Sequence, residues 1–104
     1  MDSKRVLVTG SSRGLGSAMA KEFAHRGHQV AVHYVRSAEP AEALVAEITE
    51  AGGSAQAFQA DVADPKACES LIKTVSKTFG GLDILVNNAG ITRDGLTLRM
   101  KPDD

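Results

Sequence analysis

The sequence has one cysteine, three prolines, no tryptophan and no apolar run long enough to span a bilayer. The lone Cys68 cannot form an intramolecular disulfide, and the three histidines, His25, His28 and His33, lack the spacing of zinc ligands. The N-terminus leads into a strand-like run rather than a signal peptide. These features predict a reducing, cytoplasmic setting, with no membrane as partner and no bound metal.

Neither sign of charge is in excess, because 13 acidic and 12 basic side chains leave a formal net charge of −1. Nucleic acid is therefore not expected as a partner, since it attracts strongly basic surfaces. With 42% hydrophobic and 24% charged residues, the composition is that of a globular chain and excludes disorder as the main state. A length of 104 residues suits one domain with a buried core.

Four short apolar runs alternate with three segments of helical periodicity. We predict strands at residues 5–9, 29–35, 55–60 and 82–87. The predicted helices begin near Leu15, at Ser37 as N-cap, and at Asp64 followed by Pro65. Each of them ends at a glycine. This alternation indicates an α/β fold, with a parallel sheet of about four strands in the order 3-2-1-4 and helices on both faces.

Apolar residues at three- and four-residue steps mark the helix faces that we expect to be buried. In the first helix these are Leu15, Ala18, Met19 and Phe23, and in the third helix Cys68 joins the stripe as a core residue. Residues 92–104 are predicted to form a polar tail, so we divide the chain into residues 1–91 and 92–104. The fourth strand would then leave an apolar edge, which predicts self-association.

The most informative segment is the glycine-rich turn between the first strand and the first helix, Thr9-Gly10-Ser11-Ser12-Arg13-Gly14-Leu15-Gly16. Glycine permits a positive φ and lets the backbone approach a ligand, while a helix N-terminus offers free N–H groups and a partial positive charge. The segment therefore predicts a cradle for phosphate groups. The alternative is a turn whose glycines serve only tight packing of helix on strand, but the strand-turn-helix context favours the cradle.

Two further motifs follow later strands, Asp61-Val62 after the third and Asn87-Asn88-Ala89-Gly90 after the fourth. Together with the glycine spacing G-x-x-x-G-x-G, they make the chain resemble the short-chain dehydrogenase/reductase family over essentially its whole length. The resemblance implies a Rossmann-type three-layer fold, in which residues 1–91 form the NAD(P)-binding half. Residues 88–100 look in particular like the 3-oxoacyl-[acyl-carrier-protein] reductases of fatty-acid synthesis, although acetoacetyl-CoA reductases carry similar segments.

The resemblance implies a role in cofactor binding for each motif. The glycine loop would surround the adenosine phosphates, Asp61 would accept a hydrogen bond from adenine, and the segment after Asn88 would line the ribose side of the cleft. The residues so implied are Gly10, Ser11, Ser12, Arg13, Gly14, Leu15, Gly16, Asp61, Val62, Asn88, Ala89 and Gly90. Two structural alternatives remain, that Asp61 caps the turn before the third helix and that Asn87 is a buried asparagine holding strand ends together.

The end of the second strand bears on which nicotinamide cofactor is used. NAD enzymes usually carry an acidic residue there, whereas a basic residue suits the extra phosphate of NADP. Here Arg36 and Ser37 follow the strand, no acid occurs before Glu39, and Arg13 adds a second cation in the glycine loop. We therefore predict NADP(H), bound in part by Arg36 and Ser37. The alternative is that both arginines are ordinary surface residues.

Members of the family reduce a carbonyl with a tyrosine, a lysine, a serine and an asparagine that lie downstream of the Asn-Asn-Ala-Gly motif. The only tyrosine here is Tyr34, at the end of the second strand, so no residue receives a catalytic role. We expect the N-terminal, cofactor-binding part of an NADPH-dependent 3-oxoacyl reductase, whose full-length parent would act on acyl-carrier-protein or CoA thioesters.

Two other functional classes stay open on the sequence. One is a non-catalytic dinucleotide-binding or interaction module, which would act through its sheet edge or through a partner chain. The other is a receiver-like signalling domain, which the architecture allows. That domain needs an acidic phospho-acceptor at the end of a central strand, and Thr9 and Asn87 occupy those ends.

Overall fold

A computed structural model describes residues 3–12, 14–92 and 95–100, and from residue 89 onward it describes the backbone only. Within these residues three helices alternate with four strands, and a fifth strand follows. The elements are β1 (Arg5–Val8), α1 (Gly14–His25), β2 (Gln29–Tyr34), α2 (Ala38–Glu50), β3 (Ser54–Gln59), α3 (Pro65–Phe79), β4 (Ile84–Thr92) and β5 (Gly95–Met100). The number, type and order of the first seven elements agree with the predictions from sequence.

The described strands form a sheet in the order β3-β2-β1-β4-β5. β1 pairs in parallel with β2 on one side and with β4 on the other, and β2 pairs in parallel with β3. The predicted α/β architecture and the order 3-2-1-4 are therefore confirmed. A parallel sheet of this kind places the carboxyl ends of its strands at one edge, where ligands usually bind.

The segment predicted to be a polar tail contains β5. This strand pairs antiparallel with β4, with Asn87 opposite Thr97 and a register irregularity between Asn87 and Thr92. The alternation of leucine and methionine with polar residues in Gly-Leu-Thr-Leu-Arg-Met is the period of a strand and was the overlooked signal. β5 also pairs the side of β4 that we expected to be free, so the argument for self-association from that edge does not hold. The division of the chain at residue 91 stays a prediction.

The core lies in two layers, because successive strand side chains point to opposite faces of the sheet. Valines of β1, β2 and β4 pack beneath α1 and α2, in a cluster formed by Val6, Val8, Ala20, Ala24, Val30, Val32, Ala41, Leu44, Ile48 and Val86. The opposite face packs against α3, in a cluster formed by Leu7, Ala31, Phe58, Leu71, Val75 and Leu82. Across the described ranges, no helix has the length and apolarity to cross a membrane.

The buried face of α1 differs from the predicted one. Its buried residues are Gly16, Ala20 and Ala24, whereas of the predicted stripe Leu15 and Ala18 are exposed and Met19 and Phe23 are partly buried. Small residues let the helix backbone lie close to the sheet, so the larger apolar side chains are displaced to its flanks. Leu15 is left 58% exposed at the start of the helix.

The ends of α2 and α3 show that similar capping signals lead to different contacts. Asp64 caps α3 as predicted, since its Oδ1 accepts a hydrogen bond from the backbone N–H of Lys66 at 3.0 Å. Ser37 occupies the N-cap position of α2, but its side chain makes no capping hydrogen bond.

Cys68, predicted to be a core residue, is only half-buried and belongs to neither core cluster. It lies in the first turn of α3, whereas the buried residues of that helix, Leu71 and Val75, lie further along it.

Candidate functional site

The glycine loop connects β1 to α1 at the carboxyl edge of the sheet. Gly10 and Gly14 have φ values of +62° and +56°, in the left-handed region that favours glycine. α1 begins at Gly14, and its first turn carries no acidic side chain that would compete with a bound anion. The first N–H groups of a helix have no partner within the helix, so this turn can donate hydrogen bonds to a phosphate.

Position 16 requires glycine because other atoms lie where a Cβ atom would be, and not because of its φ value. A Cβ atom at this position would overlap the carbonyl oxygen of Gly10 and Nδ2 of Asn88, and would lie 2.9 Å from Cα of Ser11. The first turn of α1 therefore lies directly against the loop and against β4. No residue larger than glycine fits this geometry without displacing the backbone.

Hydrogen bonds from β4 hold the start of the loop. The side-chain Nδ2 of Asn88 donates to the carbonyl oxygen of Gly10 at 3.0 Å, and the backbone N–H of Asn88 donates to Oγ1 of Thr9 at 2.9 Å. Oγ1 of Thr9 also lies 3.3 Å from the carbonyl oxygen of Val86 and from Oδ1 of Asn87. Asn87 itself is exposed, so the interpretation of that residue as a buried asparagine was wrong. Asn88 and the exposed Asn87 both connect the end of β1 to β4.

A second set of hydrogen bonds joins the loop to β2. Ser11 is fully buried, its N–H donates to the carbonyl oxygen of His33 at 3.1 Å, and its Oγ accepts from the N–H of His33 at 2.7 Å. The ring of His33 is also fully buried, between the N–H of Gly10 and the carbonyl oxygen of Ala60. Burial lowers the pKa of His33 below its ordinary value, although the bond to Ala60 opposes this shift. The sequence reasoning missed His33, whose only signal was a histidine within an apolar strand.

Arg36 and Ser37 follow β2 beside the loop. Both are exposed, and they line a cavity of about 260 Å³ together with Gly10, Ser12, Tyr34 and Val35. Within the described residues Arg36 forms no ion pair and no side-chain hydrogen bond. Its guanidinium group is therefore available to an anion. Arg13, the second predicted cation, lies outside the described residues.

Asp61 follows β3 and is exposed. Its Oδ1 accepts a hydrogen bond from the N–H of Ala63 at 3.1 Å, and its carbonyl oxygen accepts one from the N–H of Asp64 at 3.0 Å. Asp61 thus shapes the turn before α3, which supports the structural alternative for this residue, while Asp64 provides the helix cap. The turn uses one carboxylate oxygen and leaves the other outside these bonds. Val62 is half-buried and packs against the core cluster under α3.

The structure thus brings those predicted residues that it describes to one edge from four segments that are distant in the sequence. The glycine loop lies between Arg36 and Ser37 on the β2 side and Asn88 on the β4 side, with Asp61 beyond β2 at the end of β3. Ala89 and Gly90 continue the backbone of β4. A larger groove, of about 480 Å³, lies between the C-terminal ends of α1 and α2 at the opposite edge and contains none of the predicted residues.

The strand order, the glycine loop at its carboxyl edge and the helices on both faces together define a Rossmann-type nucleotide-binding fold. Comparison with known proteins gives the family. A family model described as short chain dehydrogenase matches residues 4–104, so the chain belongs to the short-chain dehydrogenase family. This membership overturns the receiver-like alternative.

Relatives and solved structures agree with this assignment. The chain is 52% identical to the 3-oxoacyl-[acyl-carrier-protein] reductase FabG of Staphylococcus aureus over 99 residues, which are 95% of this chain and 40% of that protein. It is 53% identical to the 3-oxoacyl-[acyl-carrier-protein] reductase of Synechocystis sp. over 98 residues, 94% of this chain and 40% of that protein. The chain therefore spans about two fifths of the length of these relatives.

Among solved structures, a dehydrogenase/reductase from Sinorhizobium meliloti matches with a TM-score of 0.83 and 50% identity, covering 88% of this chain and 36% of that one. A short chain dehydrogenase from Burkholderia cenocepacia, solved in complex with NADP, matches with a TM-score of 0.80 and 54% identity, covering 90% and 40%. The fold of the described residues is thus that of the N-terminal part of short-chain dehydrogenases.

Proposed function

We propose that the chain binds NADP(H) and forms the cofactor-binding part of a 3-oxoacyl-[acyl-carrier-protein] reductase. In that reaction NADPH supplies a hydride that reduces a ketone to a secondary alcohol. The observation that carries the proposal is the glycine loop with an acid-free helix N-terminus, beside an arginine that has no ion-pair partner among the described residues. The identity to 3-oxoacyl reductases over almost the whole chain supports the substrate class.

The residues present fit a dinucleotide. Gly16 lets the first turn of α1 lie directly against the loop, and the left-handed Gly10 and Gly14 turn the loop at the helix N-terminus. The N–H groups of Ser12, Gly14, Leu15 and Gly16 would hold the diphosphate, and the exposed side chain of Leu15 offers an apolar contact to the bound molecule. Asp61 and Val62 would receive the adenine, and Asn88, Ala89 and Gly90 the ribose side.

The preference for NADP over NAD rests on Arg36. An exposed guanidinium can bind the extra phosphate of NADP through charge-assisted hydrogen bonds, which contribute ~1.5 to 3 kcal/mol, or roughly 10- to 150-fold in affinity. Exposure to solvent places the expected value at the low end of this range. Ser37 adds a hydroxyl that the helix cap does not use. The NADP complex of the Burkholderia cenocepacia relative supports this choice of cofactor.

The substrate and partners of the full-length parent follow from its relatives. They would be a 3-oxoacyl thioester carried by acyl-carrier protein, or by CoA if the parent is like an acetoacetyl-CoA reductase. The only tyrosine, Tyr34, lies at the end of β2 beside Arg36, which supports our proposal that this chain supplies the cofactor site and not the catalytic groups. A cytoplasmic location is proposed on the same relationship.

The test titrates NADPH and NADH into the wild-type chain and two variants, and binding is measured from the fluorescence of the nucleotide. Arg36→Ala is expected to weaken NADPH binding by roughly 10-fold and to leave NADH binding nearly unchanged. Arg26→Ala is the matched control, since Arg26 is equally exposed but pairs with Glu22 at the opposite end of α1. An unchanged ratio of the two affinities in Arg36→Ala would refute the assignment of Arg36. Absence of binding by the wild type would refute the proposed function.

A further inference from the structure

The buried ring of His33 bridges two parts of the candidate nucleotide site. Nδ1 lies 2.8 Å from the backbone nitrogen of Gly10, at the start of the glycine loop. Nε2 lies 2.7 Å from the carbonyl oxygen of Ala60, the residue that precedes Asp61. Gly10 follows β1 and Ala60 follows β3, which are not neighbours in the sheet, because β2 lies between them. A side chain of β2 thus connects the segments on either side of it.

The partners of the two ring nitrogens determine the state of the ring. A backbone N–H can only donate, so Nδ1 must accept and carries no proton. A carbonyl oxygen can only accept, so Nε2 must carry the hydrogen and donate it. The hydrogen-bond geometry therefore selects the neutral Nε2–H tautomer. Adding a proton to Nδ1 would place two donors opposite each other and break the bond to Gly10.

The surroundings of the ring also favour the neutral state. The ring is fully buried, and its environment lowers its pKa below the ordinary value of 6.5. On the segments that flank it, the described ionisable side chains are Tyr34, Arg36 and Asp61, and none of them is hydrogen-bonded to the ring. No counter-charge among them compensates a protonated ring.

We propose that His33 is a positioning residue for dinucleotide binding, whose neutral ring fixes the glycine loop relative to the segment of Ala60 and Asp61. The proposal rests on the proposed function. It implies that the affinity for the nucleotide is lost as the pH falls through the lowered pKa of the ring, where the ring gains a proton and releases Gly10.

Two variants separate the two hydrogen bonds. In His33→Asn the side-chain oxygen can take the place of Nδ1 and accept from Gly10, while the bond to Ala60 is lost. In His33→Gln the terminal amide can take the place of Nε2 and donate to Ala60, while Gly10 loses its acceptor. His28→Gln is the control, because Nδ1 of His28 also accepts from a backbone N–H, that of Lys4, at the opposite edge of the sheet.

The experiment measures NADP⁺ and NAD⁺ binding to each variant at about pH 8 and at a series of lower values, down to the lowest pH at which thermal melts show a folded chain. At the higher pH, His33→Gln is expected to bind both nucleotides roughly 10-fold more weakly than wild type, and His33→Asn within about 3-fold of it. The acid-dependent loss seen with the wild type and His28→Gln should be absent in His33→Asn. NAD⁺ is included because it lacks the extra phosphate of NADP⁺, whose own titration would otherwise contribute to the pH dependence of binding.

Wild-type affinity in His33→Gln, or an unchanged pH dependence in His33→Asn, would overturn the proposal. Hydrogen exchange of the Gly10 amide provides a measurement that needs no ligand. Slow exchange in the wild type and His33→Asn, with fast exchange in folded His33→Gln, would support the positioning role even if no nucleotide bound and the proposed function failed. Equal exchange in all three would refute it.

Discussion

Gly16→Ala is expected to destabilise the fold and to weaken nucleotide binding, because the added methyl group has no room. Two of the atoms it would meet, the carbonyl oxygen of Gly10 and Cα of Ser11, belong to the backbone and cannot rotate away. The third is Nδ2 of Asn88, which donates the hydrogen bond that holds Gly10. Relief of the overlap therefore requires α1 to move away from the loop or Asn88 to give up this bond.

The size of the effect follows from three contributions. Overpacking of a tight site costs ~1 to 3 kcal/mol, and loss of the bond between Asn88 and Gly10 adds ~0.5 to 1.5 kcal/mol. Alanine is favoured over glycine within a helix by ~1 kcal/mol, which opposes them. The net loss of unfolding free energy is then about 0.5 to 3.5 kcal/mol, and each kcal/mol lowers the melting temperature of a domain of this size by roughly 4 to 8 °C.

The assay combines urea unfolding, followed by circular dichroism, with an NADPH titration. Gly52→Asn serves as the control, because Gly52 lies after α2 with a φ of +91° and nothing within 4 Å of its Cβ position. Asparagine tolerates that conformation, so this variant should lose less than about 1 kcal/mol and bind NADPH as the wild type does. A Gly16→Ala chain with wild-type stability and wild-type affinity would refute the packing argument for the loop.

Three further predictions concern activity, acid stability and assembly. The chain alone should not oxidise NADPH in the presence of a 3-oxoacyl thioester, since its only tyrosine, Tyr34, lies at the end of β2, and steady turnover by a host-reductase-free preparation would contradict this. Asp83→Asn should lower the unfolding free energy by roughly 0.5 to 1 kcal/mol at neutral pH, because the carboxylate binds Arg5 through its side chain and backbone. Those bonds hold the pKa of Asp83 below its ordinary value of 3.8. The stabilisation is therefore present above about pH 3.8 and is lost as the pH falls through the lowered pKa of Asp83, which urea unfolding at several pH values would reveal. Self-association stays a prediction, now at the outer edges of β3 and β5, and a strictly monomeric mass in sedimentation at high concentration would count against it.

The local sequence pattern predicted best those elements that keep one hydrophobic period, of a helix or of a strand, along their length. β2 and α3 are examples, since a mostly apolar run around Val30, Ala31 and Val32 and an apolar stripe between Asp64 and Gly80 each leave one interpretation. β5 was missed because it is short and half polar, and its pairing with β4 is not visible in its own sequence. The face of α1 was misjudged because small residues approach the sheet more closely than large ones, a property that hydrophobicity does not measure.

The candidate site likewise has one part that the local sequence predicts and another part that it does not. The glycine loop has a local signature, and the positive φ of Gly10 and Gly14 follows from it. The hydrogen bonds that brace the loop join residues 23 positions apart for His33 and 78 for Asn88, and no local pattern specifies them. His33 was overlooked because its role depends on two backbone groups from other strands. Only the folded arrangement reveals such partners.

β1 lies in the middle of the sheet although it is made first. One of its neighbours, β4, begins only at Ile84, so until that part of the chain has been made one side of β1 has no strand to pair with. In the finished fold Val6, Leu7 and Val8 of β1 are fully buried. On a ribosome-bound chain they would belong to an unpaired strand edge, where a chaperone would bind or neighbouring chains would aggregate. Asn88 can reach Gly10 only after β4 has docked. A nascent chain that ends before Asn88 should hold its glycine loop without this brace, so the capacity to retain a nucleotide should arise abruptly once β4 has been made, well after the loop itself has emerged.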